Sequence, residues 1–359
     1  MDYRLVTSGL DFQMSESAES KVQSLVRFVK RFEAVTEAEK SFCMHHLARA
    51  MVVKYVYYVN VGELVGVQTE EETREIIDRL WSQKSSYEIA PLSTCKEQLE
   101  TQNSYLGLKH MDNLRNEMES TGLLTVQVIC DAHKTLMKGL IRKENCGVIR
   151  KSEVYTHWDG GIHYYPAADI VESLFWGVID RHNLFIHSLV DMNTEEKVPY
   201  TFKCAAWLHF TFVDIHPFVD GNGRLSRLLA NYVLSHIMPF PVSANSLSGK
   251  EGSVRQQYIE AIVECRNSCN RHPIRLCEML IDSALESWTN FFYNLEKMRW
   301  VVPIDIRQES GKTKERVLHR NVDLQMVDIS PVEEAIKEAN VTNLEPHKCV
   351  AMSQLGKGN

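Results

Sequence analysis

Apolar residues recur along most of this chain at spacings of three and four, the signature of helices with one buried face. Residues 37–65 place Phe42, Leu47, Met51, Tyr55 and Val59 three to five positions apart, which predicts one long, mostly buried helix. Thr69, followed by the acidic run Glu70, Glu71, Glu72, predicts a capped helix start. Residues 82–94 read as a connecting loop, because Pro91 and the serines interrupt any periodicity. Two further helical patterns follow over 95–118 and 125–140, in the manner of an antiparallel bundle. One segment differs: residues 153–166 alternate polar and apolar positions on either side of Asp159-Gly160-Gly161, a β-hairpin pattern. Helical spacing then returns over 169–183, 198–215, 223–238, 253–267 and 274–298. From about residue 300 the chain turns polar, and a peripheral, partly disordered tail is expected. The pattern predicts an all-α fold with a single hairpin. Its expected divisions are an N-terminal helical region (1–99), a core (100–290) and a polar extension (291–359).

Composition narrows the function classes. Of 359 residues, 44% are apolar and 24% charged, with a formal charge of -7, so no overall positive field draws the chain onto nucleic acid. The first residues include acidic side chains and lack the apolar stretch of a secretory signal. The longest apolar run, 51–61, contains Lys54 and Asn60 and falls short of the roughly 20 residues a spanning helix needs, so no membrane partner is expected. Nine cysteines without a dense framework suit a reducing compartment, cytoplasmic or nuclear. Cys265, Cys269 and His272 lack the second ligand pair of a zinc site and read as packing, as does His209 between Trp207 and Phe210.

The chemistry is concentrated in residues 216–227. His216, Pro217, Phe218, Val219, Asp220, Gly221, Asn222, Gly223, Arg224, Leu225, Ser226 and Arg227 stand between an apolar helix and an amphipathic one. This is a loop at a helix N-terminus, where unpaired N–H groups and the dipole favour a phosphate. Gly221 and Gly223 permit close backbone approach, and Asn222 is expected to tolerate an unusual φ. Arg224 and Arg227 project two permanent charges into the same space. Two glycines, two arginines, one carboxylate and one imidazole suit a polyphosphate with a divalent metal.

The stretch resembles the Fic family motif HxFx(D/E)GNGRxxR at every fixed position, and the resemblance extends over roughly residues 50–285. It takes in Asn103, the run Gly147 to Arg150, the hairpin, and a closing helix with Arg255 and Tyr258. The resemblance implies a helical core with one hairpin flap, and transfer of AMP from ATP to Ser, Thr or Tyr hydroxyls of a protein target, self-modification included. It implies His216 as general base, Asp220 as the Mg²⁺ ligand, and Gly221, Asn222, Gly223, Arg224, Arg227 and Tyr258 as the nucleotide site. Phe218 would anchor the loop in the core. The flap residues Tyr155, Thr156, His157, Trp158, Ile162, His163 and Tyr164 would dock the target as an added strand. Many members carry an inhibitory helix, (S/T)xxxE(G/N), whose glutamate pairs with the second motif arginine. Val59 to Leu64 is the better placed match and makes Glu63 the expected restraint, although Val59 and Leu64 depart from the pattern; Glu97 ranks second. AMP removal, transfer of another nucleotide, a non-catalytic nucleotide-binding role and a homodimer remain open from the sequence.

Overall fold

A computed structural model of the protein describes residues 9–81, 95–117, 123–158, 161–244 and 254–301. The loop expected at 82–94, the turn at Asp159-Gly160 and the polar tail beyond 301 lie outside these residues. Residues 1–291 form one compact unit, and residues 292–359 a second, of which only the end of the last helix is described.

The centre is α7 (Thr194–Ile215), packed most extensively on α8 (Asn222–Leu234). Helix α7 opens with a capping box, Asn193 and Glu196 each bonding the other's backbone N–H. Beyond its first turn it is buried almost all round, with Phe202, Trp207, Phe210 and Phe212 at 1% exposure or less, as expected of a central helix. Around it, α6 (Ala168–Ser188) and α1 (Glu16–Glu33) pack on α7, and α4 (Lys96–Glu117) packs on α5 (Val126–Leu136) and α8. Helix α2 (Glu37–Gly62) contacts α3 (Glu70–Trp81), α4, α8 and α9 (Val254–Asn267). The last described helix, α10, runs from Ile274 to Val301.

Strands β1 (Tyr155–Trp158) and β2 (Gly161–Tyr164) form an antiparallel hairpin in which Tyr155 faces Tyr164 and His157 faces Ile162. Among the described residues the fold is therefore helical with one hairpin, as the pattern predicts. Helix α1 is not among the predicted elements, although Ser15 caps it and Ala18, Val22, Leu25, Val26 and Val29 line its buried face. The long helix predicted to residue 65 ends at Gly62. Leu64 and Gly66 take left-handed φ values of 56° and 72°, and the chain reverses onto α4.

Candidate active site

Helix α7 stops at His216, whose φ of 50° and the following Pro217 prevent continuation. Five residues on, Gly221 caps the start of α8 with φ 77°, a left-handed conformation that favours glycine, and a Cβ there would also press on the Met137 side chain. The unusual φ expected at Asn222 falls instead on His216 and Gly221, because Asn222 is already the first helical residue. Its amide closes the loop: the Phe218 N–H donates to Asn222 Oδ1 (3.0 Å), and Asn222 Nδ2 donates to the Phe218 carbonyl (2.8 Å). Phe218 points into the core with no exposure.

The imidazole of His216 has a defined tautomer. Its Nδ1 is 3.1 Å from the Val213 carbonyl, which can only accept, so Nδ1 carries the proton and Nε2 the lone pair. Burial beneath Tyr165, together with the charges of Arg266 and Arg150, pushes its pKa down to about 3. The ring is neutral at physiological pH.

Arg224 and Arg227 project from the first two turns of α8 and are 3% and 1% exposed. Arg224 Nη1 and Arg227 Nε and Nη2 are buried without a hydrogen-bond partner among the described residues, an arrangement suited to anion oxygens. Arg227 Nη1 is ion-paired with Glu63, and its guanidinium lies 4.2 Å from the Tyr258 ring centroid. Burial lowers the Arg227 pKa, but Glu63, with Tyr258 and Tyr55, offsets this and the net direction is upward. The Glu63 carboxylate also presses on the start of α8, where a Cβ on Gly223 would collide with it. A carboxylate thus occupies a seat made by a helix N-terminus and an arginine, the place an anion would take. Glu97 is exposed on α4 and accepts instead from the Cys95 thiol.

Glu63, His216, Gly223, Tyr258, Arg255 and the flap residues Thr156 and His157 border one cleft of about 190 Å³. Asp220 is exposed at the loop apex, one carboxylate oxygen accepting the Gly221 N–H at 2.6 Å. On the hairpin, Tyr155, Ile162 and Tyr164 are exposed, whereas Thr156 and His163 are half-buried; the Trp158 side chain lies outside the description. His163 Nε2 is 4.0 Å from Asp214, but desolvation and the charge of Arg266 push its pKa down to about 4, so it is neutral. His209 is buried, its Nε2 2.9 Å from the Tyr258 hydroxyl; Cys265 is buried and Cys269 exposed. Among the described residues no cluster of three His, Cys, Asp or Glu side chains could hold a metal by itself.

Three supports of the loop come from outside the motif. His133 on α5 accepts the Gly147 N–H at Nδ1 (2.8 Å) and donates from Nε2 to the Asp220 carbonyl (3.0 Å), with its ring stacked on Phe218 at 3.8 Å. Burial pushes its pKa down to about 4, so it stays neutral as both bonds require. Arg150 donates to the carbonyls of His216 (2.7 Å), Ser152 (2.9 Å) and Pro166 (2.6 Å), stapling both feet of the hairpin to the motif. Met137 takes a contact from Arg224 Nη2 at 3.3 Å.

The arrangement is a helical bundle whose motif loop leads into a helix start beside a two-stranded hairpin, and its likeness to known proteins gives its class as a Fic-type (Fido) domain. The Fic/DOC family model matches residues 123–234. A Fido domain-containing protein of Dictyostelium discoideum is 31% identical over 163 residues, 45% of this chain and 99% of that one. The chain belongs to the Fic/DOC family. It is also 26% identical over 230 residues to the protein adenylyltransferase Fic of Drosophila erecta, covering 64% of this chain and 39% of that protein. It therefore spans about two fifths of the length of the Drosophila relative. Among solved structures, a Fic family protein from Desulfovibrio desulfuricans G20 shares the fold at a TM-score of 0.58 and 17% identity, over 79% of this chain and 76% of that one. Fic-1 of C. elegans does so at a TM-score of 0.57 and 18% identity, over 78% and 73%. No described helix is long and apolar enough to cross a membrane.

Proposed function

We propose that this chain is a protein adenylyltransferase, moving AMP from ATP·Mg²⁺ onto a Ser, Thr or Tyr hydroxyl of another protein, and that Glu63 restrains it. The observation that carries the reading is the shared cleft, in which the neutral His216 and the anion seat at the start of α8 meet below the hairpin. The name of the Drosophila relative supports the same activity.

In this reading Nε2 of His216 accepts the proton as the hydroxyl oxygen attacks the α-phosphorus. The bond to the β-phosphate oxygen breaks, and pyrophosphate leaves. The amides at the start of α8 and the buried N–H groups of Arg224 and Arg227 bind the phosphates, with Asn222 holding the loop closed. Tyr258 flanks Arg227 at the cleft wall. Asp220 suits Mg²⁺: a single exposed carboxylate is the usual protein share for a cation that keeps water and phosphate ligands. When bound, the ion would neutralise phosphate charge. The hairpin offers main-chain hydrogen bonds to an extended target segment with little sequence demand.

Glu63 competes with phosphate for the fork of Arg227. Incubation with α-labelled ATP and Mg²⁺ is expected to give severalfold more self-labelling for Glu63→Gly than for wild type, while Glu97→Gly matches wild type and EDTA abolishes the label. Equal labelling by wild type and Glu63→Gly would remove the restraint, and no label from either would remove the transfer.

A further inference from the structure

The geometry points to Tyr165, clamped by the Asp214–Arg266 pair, as a positioning residue that aims the imidazole of His216. This inference rests on the transfer reading above. Proton acceptance requires Nε2 to face the acceptor hydroxyl, yet the ring itself has one described hydrogen bond, from Nδ1 to Val213 at 3.1 Å. The bonds from Arg150 fix its backbone only. What covers the ring face is Tyr165, stacked with centroids 3.8 Å apart and planes 21° from parallel.

Tyr165 is in turn held firmly. It is 8% exposed, and its N–H donates to the Val154 carbonyl at 3.2 Å, closing the foot of the hairpin. The Arg266 guanidinium lies over its ring at 5.4 Å. Arg266 Nε bonds one oxygen of Asp214 at 2.7 Å, and Arg271 pairs with the other. Asp214, 3% exposed, is two residues before His216 on the last turn of α7. The contacts form a closed circuit from α7 through α9 and the hairpin back to the end of α7, so the imidazole cannot turn without breaking one of them. Because Tyr165 directly follows β2, the circuit also fixes His216 with respect to the strand on which a target segment would dock. A misaim of about 1 Å in such a group costs on the order of 100-fold in rate.

The test uses the full chain in the Glu63→Gly background. Tyr165→Leu is expected to lower kcat for AMP transfer roughly 10- to 100-fold, with the Kd for ATP within about threefold. Tyr165→Phe keeps the ring and is expected to return kcat to near the parent value. Nitrogen-15 imidazole NMR gives a readout independent of transfer: His216 should be a single Nδ1–H tautomer in the parent and in Tyr165→Phe, and a mixture in Tyr165→Leu. Asp214→Asn, which loosens Arg266 without removing the ring, should show a milder fall in kcat and the same mixing, and carries the test if Tyr165→Leu does not fold. Parent-like kcat with a single tautomer in Tyr165→Leu would overturn the inference, as would failure of Tyr165→Phe to restore kcat. If the parent transfers no AMP, the functional reading fails while the tautomer measurement still decides the positioning.

Discussion

At the scale of single residues, His216 illustrates how surroundings select one proton state. Desolvation and the neighbouring Arg266 and Arg150 push its pKa down to about 3, so a neutral imidazole is available well below neutrality. The acid limb of kcat/KM reports the free enzyme, and an unperturbed histidine near 6.5 would reduce it about tenfold by pH 5.5. In Glu63→Gly protein, kcat/KM is expected to stay level from pH 7.5 to 5.5; a limb centred near 6.5 would show an ordinary imidazole. His216, Asp220, Arg224 and Arg227 are legible in the sequence because a loop and the first two turns of α8 bring twelve successive residues together. His133 is not, since it is 87 positions from its partner Asp220 and looks like any histidine on an amphipathic helix. Tyr165 and Arg266 escape for the same reason: their role arises only when the hairpin and α9 converge on His216.

At the scale of elements, the end of α2 is built to present Glu63. Asn60, fully buried, donates to Thr101 (3.3 Å) and accepts from Ser104 (2.7 Å), while Glu100 accepts the Gly66 N–H at 2.8 Å. These bonds lock the reversal after Glu63 onto α4. Leu64 is the weak point, because it is 68% exposed with φ 56°, a conformation that costs a branched side chain about 1–2 kcal/mol. A left-handed φ at this position favours Gly or Asn, the residues of the inhibitory pattern that Leu64 departs from. Leu64→Asn is expected to raise unfolding stability by about 1 kcal/mol in urea denaturation and to lower self-labelling below wild type. Unchanged stability would mean that the turn carries no such strain. Helix periods and the hairpin alternation were legible because each is a local repeat. The early end of α2 was not, because contacts with α4 impose the left-handed turn.

At the scale of the whole molecule, the bundle in the proposed function has one task, to bring a base, an anion seat and a strand-like docking edge to one cleft. Its contacts join α2, α7, α8, α9 and the hairpin, which explains why no isolated stretch of sequence defines the complete site. The central claim is that the α-phosphorus of ATP ends on a protein hydroxyl with His216 taking the proton. The most direct measurement compares α-labelled with γ-labelled ATP on Glu63→Gly protein, and on the same protein carrying His216→Ala. Protein-bound label is expected from the α-position only, falling on the order of 10²- to 10⁴-fold with His216→Ala while ATP binding persists. Label from the γ-position, or undiminished α-label without His216, would contradict it.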